Sequence, residues 1–333
     1  MGRSTVTAVA PLMQGFFTVR LPQQRVSAHT VSSYRDTMRL LLGFAQGHTG
    51  KQPARLDLAD LDAALVAAFL DHLETERHNG VGTRNLRLSA VQSLFRYAQL
   101  QCPEHAALIA RVLAIPAKRR DITVVSYLTR AETDALVASP DRATALGWRD
   151  HLLILLGVQT GLRVSELRAL KWADITFGAG ANLYTKGKGR RDRHTPLLPA
   201  TASLLQGWMG HRSARLDEPV FVTRQRTTLS TDAVADLIDR HVTAAAPRCP
   251  SLARKRVTPH TLRHTCAMNL LHEGFDLVTI ALWLGHSSSK STEIYLHGDT
   301  ALKEKALAAI AATPAAGHRY RAPDKLLAFL ESL

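Results

Sequence analysis

Apolar residues recur every three to four positions from about Thr30 to Leu113, and this period predicts helices and nothing else in that stretch. Val31, Tyr34, Met38, Leu41 and Ala45 fall on one stripe, and Leu61, Leu65, Ala68, Phe69 and Leu73 on a second. In "TRNLRLSAVQSLFRYAQ", Leu88, Val91, Leu94, Phe95 and Ala98 make a third, while Arg84, Arg87 and Arg96 project elsewhere. Residues 1–113 are therefore expected to form a small helical bundle with a basic face, either merely solvated or turned to a nucleic acid. The period then stops. "AIPAKRRDITVVSY" carries a proline, three consecutive basic residues and no helical spacing, so 114–126 is expected to be a linker.

The pattern beyond the linker is mixed. Thr129 and Glu132 have capping-box spacing ahead of Leu136 and Val137. A helix is expected around Asp150 to Val158, a turn at Gly161 and a new helix from about Arg163. In "NLYTKGKGRRDRHTPLL" two short extended runs flank a glycine-punctuated turn, which predicts a β-hairpin with a basic tip. "EPVFVT" reads as a further strand, and helices dominate afterwards. The fold class expected is mainly α with a small β-sheet (α+β). Residues 127–313 form the second domain, and 314–333 a tail after a break at Pro314 and Gly317, ending in an apolar helix that includes Leu326, Leu327, Phe329 and Leu330.

Composition narrows the partner. Forty-two Lys and Arg against 28 Asp and Glu leave a net charge of +14, spread over segments that are also 46% hydrophobic. A folded basic protein with a polyanionic partner, nucleic acid before membrane, fits better than a disordered basic tail. Three scattered cysteines, Cys102, Cys249 and Cys266, are too few for a disulfide scaffold or a zinc site. No run approaches the ~20 apolar residues of a membrane span, and the N-terminus has no convincing signal-peptide core. A cytoplasmic setting is expected.

Five short patterns bear chemistry. "TGLRVSEL" puts Arg163 after a glycine turn at a helix start, where backbone N–H groups and a fixed cation can face one anion, although an ordinary surface arginine fits it too. "KGKGRRDR" sets Lys188 on the hairpin tip, as an active ammonium or a solvated charge; it is not a phosphate-binding P-loop, because Asn182 occupies the first glycine position. "PHTLRH" puts His260 and Arg263 on one helical face after Pro259, with Arg254 and Lys255 just upstream. "LWLGHSS" has His286 past a helix break at Gly285, where a simple cap is the alternative. "STEIYLH" holds Tyr295, which could equally be a packed core tyrosine.

Each pattern is weak alone. Two arginines, a lysine, two histidines and a tyrosine together form a set for metal-free phosphoryl transfer, in which fixed cations stabilise charge on the non-bridging oxygens and the tyrosine supplies the nucleophile. No cofactor or metal is expected.

The order and spelling of the five patterns resemble the tyrosine recombinases of the phage-integrase and Xer type, over nearly the whole chain. The resemblance implies a SAM-like core-binding domain at 1–113 and a catalytic domain at 127–313. It makes Tyr295 the nucleophile of a 3′-phosphotyrosyl link, Arg163 and Arg263 the clamp on the scissile phosphate, His260 and His286 its hydrogen-bonding and proton-handling partners, and Lys188 the general acid. Arg84, Arg87, Lys118, Arg119, Arg120, Arg190, Arg191, Arg254 and Lys255 are the candidate DNA contacts. Two domains would clamp double-stranded DNA at short core sites and assemble as a tetramer on two sites, with room for an accessory recombinase and no role for a membrane. The terminal helix would dock on a neighbouring protomer, and the chain before the bundle is too short for an arm-site domain. The rival readings are a type IB topoisomerase-like nicking enzyme and a non-catalytic DNA-binding regulator.

Overall fold

The structure, a computed structural model, describes residues 8–119, 125–187, 192–286, 292, 294 and 295. The chain divides into two compact units, Met1–Asp121 and Ile122–Leu333. The family of elements is mainly α with one small sheet, as the periodicity predicts.

In the first unit, α1 (Val9–Gly15) passes through a π-helical turn (Phe16–Arg20) into the short α2 (Leu21–Gln23), and α3 (Ala28–Thr49), α4 (Ala63–Thr75), α5 (Val81–Gln101) and α6 (Ala106–Leu113) follow. Local chemistry sets the ends. Ser27 Oγ accepts the Thr30 N–H at the start of α3, Gly50 closes it at φ 72°, and Asp62 caps α4 through the Leu65 N–H. The predicted stripes meet in one core, with Leu41, Phe69, Val91 and Phe95 fully buried. The sequence reading did not anticipate α1 and its continuation, because seven residues are too few for a period to declare itself; Phe16 nevertheless stacks on Tyr34, with ring centroids 6.1 Å apart and planes 10° from parallel.

In the second unit, the predicted box at the start of α7 (Arg130–Val137) is present: Thr129 N–H donates to Glu132 Oε2 at 2.8 Å and Glu132 N–H to Thr129 Oγ1 at 3.3 Å. Then come α8 (Ala145–Thr160), α9 (Val164–Ala169), β1 (Ile175–Thr176), β2 (Asn182–Thr185), β3 (Arg193–Pro196), α10 (Pro199–Arg212), α11 (Thr231–Ala245), α12 (Pro259–His272) and α13 (Leu277–Leu284). The antiparallel sheet has order β1-β2-β3, with Ile175 opposite Leu183 and Thr185 opposite Arg193. Its hairpin is the one predicted. β1 adds a strand too short to see in sequence, and "EPVFVT" does not join the sheet: it makes only the isolated bridges Lys171↔Pro219 and Val222↔Thr228. That run is apolar because Val220 and Phe221 are core residues beneath α10, whose Trp208 Nε1 donates to Val220 O at 3.2 Å. A loop can bury such residues when its carbonyls find side-chain donors.

At the centre of this unit α8 packs on α12. Gly157 allows the close approach, since a Cβ there would lie 2.8 Å from Leu262 Cδ1. Among the described residues no helix is long and apolar enough to cross a membrane.

Candidate active site

Two helix C-termini and two helix N-termini converge here. α8 ends at Gly161 (φ 63°) and α13 at Gly285 (φ 64°), both in the left-handed conformation that glycine adopts without penalty. α12 starts close by, with Thr258 as N-cap and Pro259 in the first turn. Arg263, one turn into α12 and buried, donates from Nη1 to Gly161 O at 2.5 Å and from Nη2 to Leu284 O at 2.7 Å. Arg163 precedes α9 and donates from Nη2 to Gly285 O at 2.9 Å. Carbonyls left over at two helix ends thus hold both guanidiniums, where the helix dipoles also favour a cation. Burial, and then the charge of Arg163, lower the pKa of Arg263 to about 10, which leaves it charged at neutral pH.

Glu166 ties Arg163 to a third arginine. Its Oε2 accepts the Arg163 backbone N–H at 2.8 Å and its Oε1 accepts Arg163 Nη1 at 2.9 Å. Arg193, buried on the inward face of β3, donates to the same carboxylate at 2.8 and 3.2 Å. Burial opposes ionisation of Glu166, but the Arg193 and Arg163 contacts outweigh it and hold its pKa below the usual carboxylate range. Three guanidiniums around one carboxylate leave a positive pocket suited to an oxyanion such as a phosphate.

Against this pocket lies Tyr295, 1% exposed. His264 Nδ1 is 3.0 Å from the Tyr295 hydroxyl, with the two rings edge-on at 66°. His286 stacks nearly parallel to the Tyr295 ring, at 9° and 6.4 Å between centroids, and shares a 2.8 Å hydrogen bond from Nδ1 with Thr292 Oγ1. Burial, with Arg263 and Arg163 after it, depresses His286 to about 4; burial followed by His260 and Arg263 brings His264 to about 4 as well. Both rings are therefore neutral at physiological pH. Burial pushes the Tyr295 phenol up to about 12 against the opposing charge of Arg263.

Of the six predicted catalytic residues, Arg163, Arg263, His286 and Tyr295 share this one site. His260 stands exposed at the start of α12, its ring 6.4 Å from that of His264. Lys188 lies outside the described residues, as do Arg120, Arg190 and Arg191. The predicted basic face on α5 is corrected in part: Arg96 is exposed, but Arg84 is buried and donates to Pro116 O at 3.1 Å, and Arg87 is half-buried on Ser33 O and Thr37 Oγ1. Lys255 is likewise spent on the fold, donating to Glu132 Oε2 at 2.6 Å and Tyr127 O at 2.9 Å. Lys118, Arg119 and Arg254 are exposed, with Lys118 paired to Glu74 at 2.5 Å. A guanidinium on an amphipathic helix can turn inward wherever carbonyls outside the helix need donors, and the helical period does not record where those carbonyls are.

Sequence reasoning missed Glu166, Arg193 and His264. Each left a trace. Glu166 stands three residues after Arg163, at the reciprocal capping position; Arg193 alternates with solvent-facing neighbours on a strand; His264 follows His260 by four, one turn along the same helix face.

Comparison with known proteins agrees with this architecture. The model of the phage integrase family matches residues 126–301, and that of the phage integrase N-terminal SAM-like domain matches 15–101. "Putative integrase/recombinase y4rC" of Sinorhizobium fredii is 49% identical over 327 residues, covering 98% of this chain and 98% of that protein. Tyrosine recombinase XerC of Pelobacter propionicus is 29% identical over 291 residues, 86% of this chain and 91% of that one. The XerH site-specific recombinase in its post-cleavage complex with a palindromic difH substrate shares the fold, with a TM-score of 0.68 over 84% of this chain and 79% of that one at 23% identity. The chain belongs to the phage integrase family, the tyrosine-type site-specific DNA recombinases, and carries that family's N-terminal SAM-like domain.

Proposed function

We propose that the protein cuts and rejoins double-stranded DNA at short core sites through a 3′-phosphotyrosyl intermediate on Tyr295, with neither metal nor ATP. The observation that carries this reading is a tyrosine hydroxyl packed against imidazoles beside a pocket of three guanidiniums, two of them tied to Glu166 and the third, Arg263, to the Gly161 and Leu284 carbonyls. Arg163 and Arg263 hold the non-bridging oxygens of the scissile phosphate, and preorganised donors of this kind act on the charge that develops in the transition state. His286 serves as a hydrogen-bonding partner, and exposed His260 as the proton-handling one that takes up the phenolic proton. The phenolic oxygen forms a bond to phosphorus as the bond to the 5′-oxygen breaks, and Lys188 donates a proton to that leaving oxygen. The phosphotyrosyl bond retains the energy for rejoining, so no external energy source is needed.

Exposed Arg119 and Arg254, with Lys118, contact the DNA backbone, and the protein works in the cytoplasm as a tetramer on two sites, with or without an accessory recombinase. Residues 1–113 grip the core site, 114–126 link the domains, and 314–333 dock on a neighbouring protomer. A duplex selected by binding from a randomised pool and nicked within the selected site traps the covalent intermediate. The wild-type protein should give an adduct that survives denaturing electrophoresis, and Tyr295→Phe should give none while binding the duplex normally; an adduct that persists in this variant places the nucleophile elsewhere. Lys188→Ala should slow adduct formation on ordinary DNA and recover on DNA whose bridging 5′-oxygen is sulfur, since a thiolate leaves without a proton. Lack of recovery with sulfur removes the general-acid role.

A further inference from the structure

His264 has no part in the roles assigned above, yet of the described histidines it is the one whose ring nitrogen is within hydrogen-bond distance of the Tyr295 hydroxyl. We infer that His264 is a positioning residue: its Nδ1 accepts the phenolic O–H and fixes the hydroxyl of Tyr295 within the cluster of its own subunit. The inference rests on the proposed role of Tyr295 and adds to it the group that aims the nucleophile.

The geometry separates the two neighbouring imidazoles. A phenol's O–H lies near its ring plane, so an acceptor must approach the edge. His264 does so, at 3.0 Å with its ring 66° from that of Tyr295. His286 lies parallel at 9° with its centroid 6.4 Å away, and its Nδ1 is hydrogen-bonded to Thr292. His264 is itself held firmly. It sits on α12 between Arg263, anchored to two carbonyls, and Thr265, whose Oγ1 donates to Thr261 O at 2.8 Å and accepts the Leu128 N–H at 3.0 Å. The acceptor is therefore fixed to a rigid element, as positioning requires.

Charge decides between holding the hydroxyl and removing its proton. The titratable groups facing His264 are His260, Arg263, His286 and Tyr295. Burial, followed by His260 and Arg263, favours the neutral ring, which with its proton on Nε2 leaves Nδ1 free to accept. An imidazole near 4 is a poor sink for a phenolic proton near 12, so a permanent transfer is disfavoured while the hydrogen bond is not.

The test uses full-length protein in two assays. In DNA-free protein with 15N-labelled histidine, the His264 Nδ1 signal should lie in the unprotonated range at pH 7 and shift on Tyr295→Phe. No shift overturns the hold, whatever the DNA assay gives. With the selected nicked duplex, His264→Ala should lower the rate of adduct formation at least tenfold at unchanged DNA affinity. His264→Asn, whose side-chain oxygen can accept at about the Nδ1 position but cannot take up a proton, should recover most of that loss. Wild-type rates in His264→Ala overturn the inference, as does an Asn variant no faster than Ala. If the signal shifts but wild-type protein forms no adduct, the hold stands and the phosphotyrosyl reading fails.

Discussion

Arg193 shows how much of this site depends on one carboxylate. Its side chain is buried, and its charge is balanced by Glu166, which also orients Arg163 through both backbone and guanidinium. Removing one partner of such a pair leaves an uncompensated charge out of water, a larger loss than the pair itself contributes. Glu166→Gln keeps the shape and removes the countercharge, so it is expected to destabilise the protein by about 3 kcal/mol in urea unfolding. It should also slow adduct formation, because Arg163 loses the group that aims it. A variant with unchanged unfolding free energy would show that solvent already screens Arg193.

At the scale of elements, the site is an arrangement of helix ends. α8 and α13 stop at left-handed glycines, and the carbonyls around those stops hold Arg163 and Arg263. Gly161 is required twice over: its φ is +63°, and a Cβ would collide with Leu284 Cδ2 and lie 3.2 Å from Cys266 Sγ. Gly178 also has positive φ, +98°, but has open space around it. Gly161→Ala should therefore cost about 2–4 kcal/mol, from backbone strain plus overpacking, against about 1 kcal/mol for Gly178→Ala from strain alone. Equal losses in denaturant unfolding would mean that the α13 end yields to the new methyl group. Gly285 differs in kind, since its added Cβ would meet Arg193 Nη1 at 2.7 Å, a guanidinium already held by Glu166.

For the whole molecule, the buried site links stability to pH. His264 and His286 sit near 4 in the folded protein against an ordinary 6.5, chiefly through burial and then neighbouring cations. Above pH 6.5 both rings are neutral in either state and contribute nothing to the pH dependence. Between 6.5 and 4 the unfolded chain binds protons that the native one refuses, so stability falls as pH falls and this loss levels off below 4. Each ring contributes at most about 1.4 kcal/mol per pH unit, less after allowance for solvent screening of half-buried groups. Glu166, held below its ordinary value, adds a loss under pH 4.5. Melting temperature should thus drop steadily from pH 6.5 to 4.5, and His286→Gln should flatten the slope. A flat wild-type profile across that window would place both imidazoles in contact with water.

Local signals carried much of this molecule. The helical stripes, the box at Thr129 and Glu132, the hairpin and the glycine stops are set by interactions within a few residues, so side-chain order along the chain is enough to reveal them. Arg163, Arg263, His286 and Tyr295, which the fold gathers, were legible for a different reason: their patterns, each weak alone, form one chemical set when read together. Contacts between distant segments were not legible. Arg193 meets Glu166 from 27 residues away, His264 meets Tyr295 from 31, and Arg163 reaches Gly285 from 122. The same gap explains Arg84, Arg87 and Lys255, whose partners come from other elements and turn apparent surface charge into internal hydrogen bonds. Sequence fixes which donors and acceptors exist and how each helix is striped. Which of them meet depends on how the helices pack, because a buried polar group must find its partner wherever the fold supplies one.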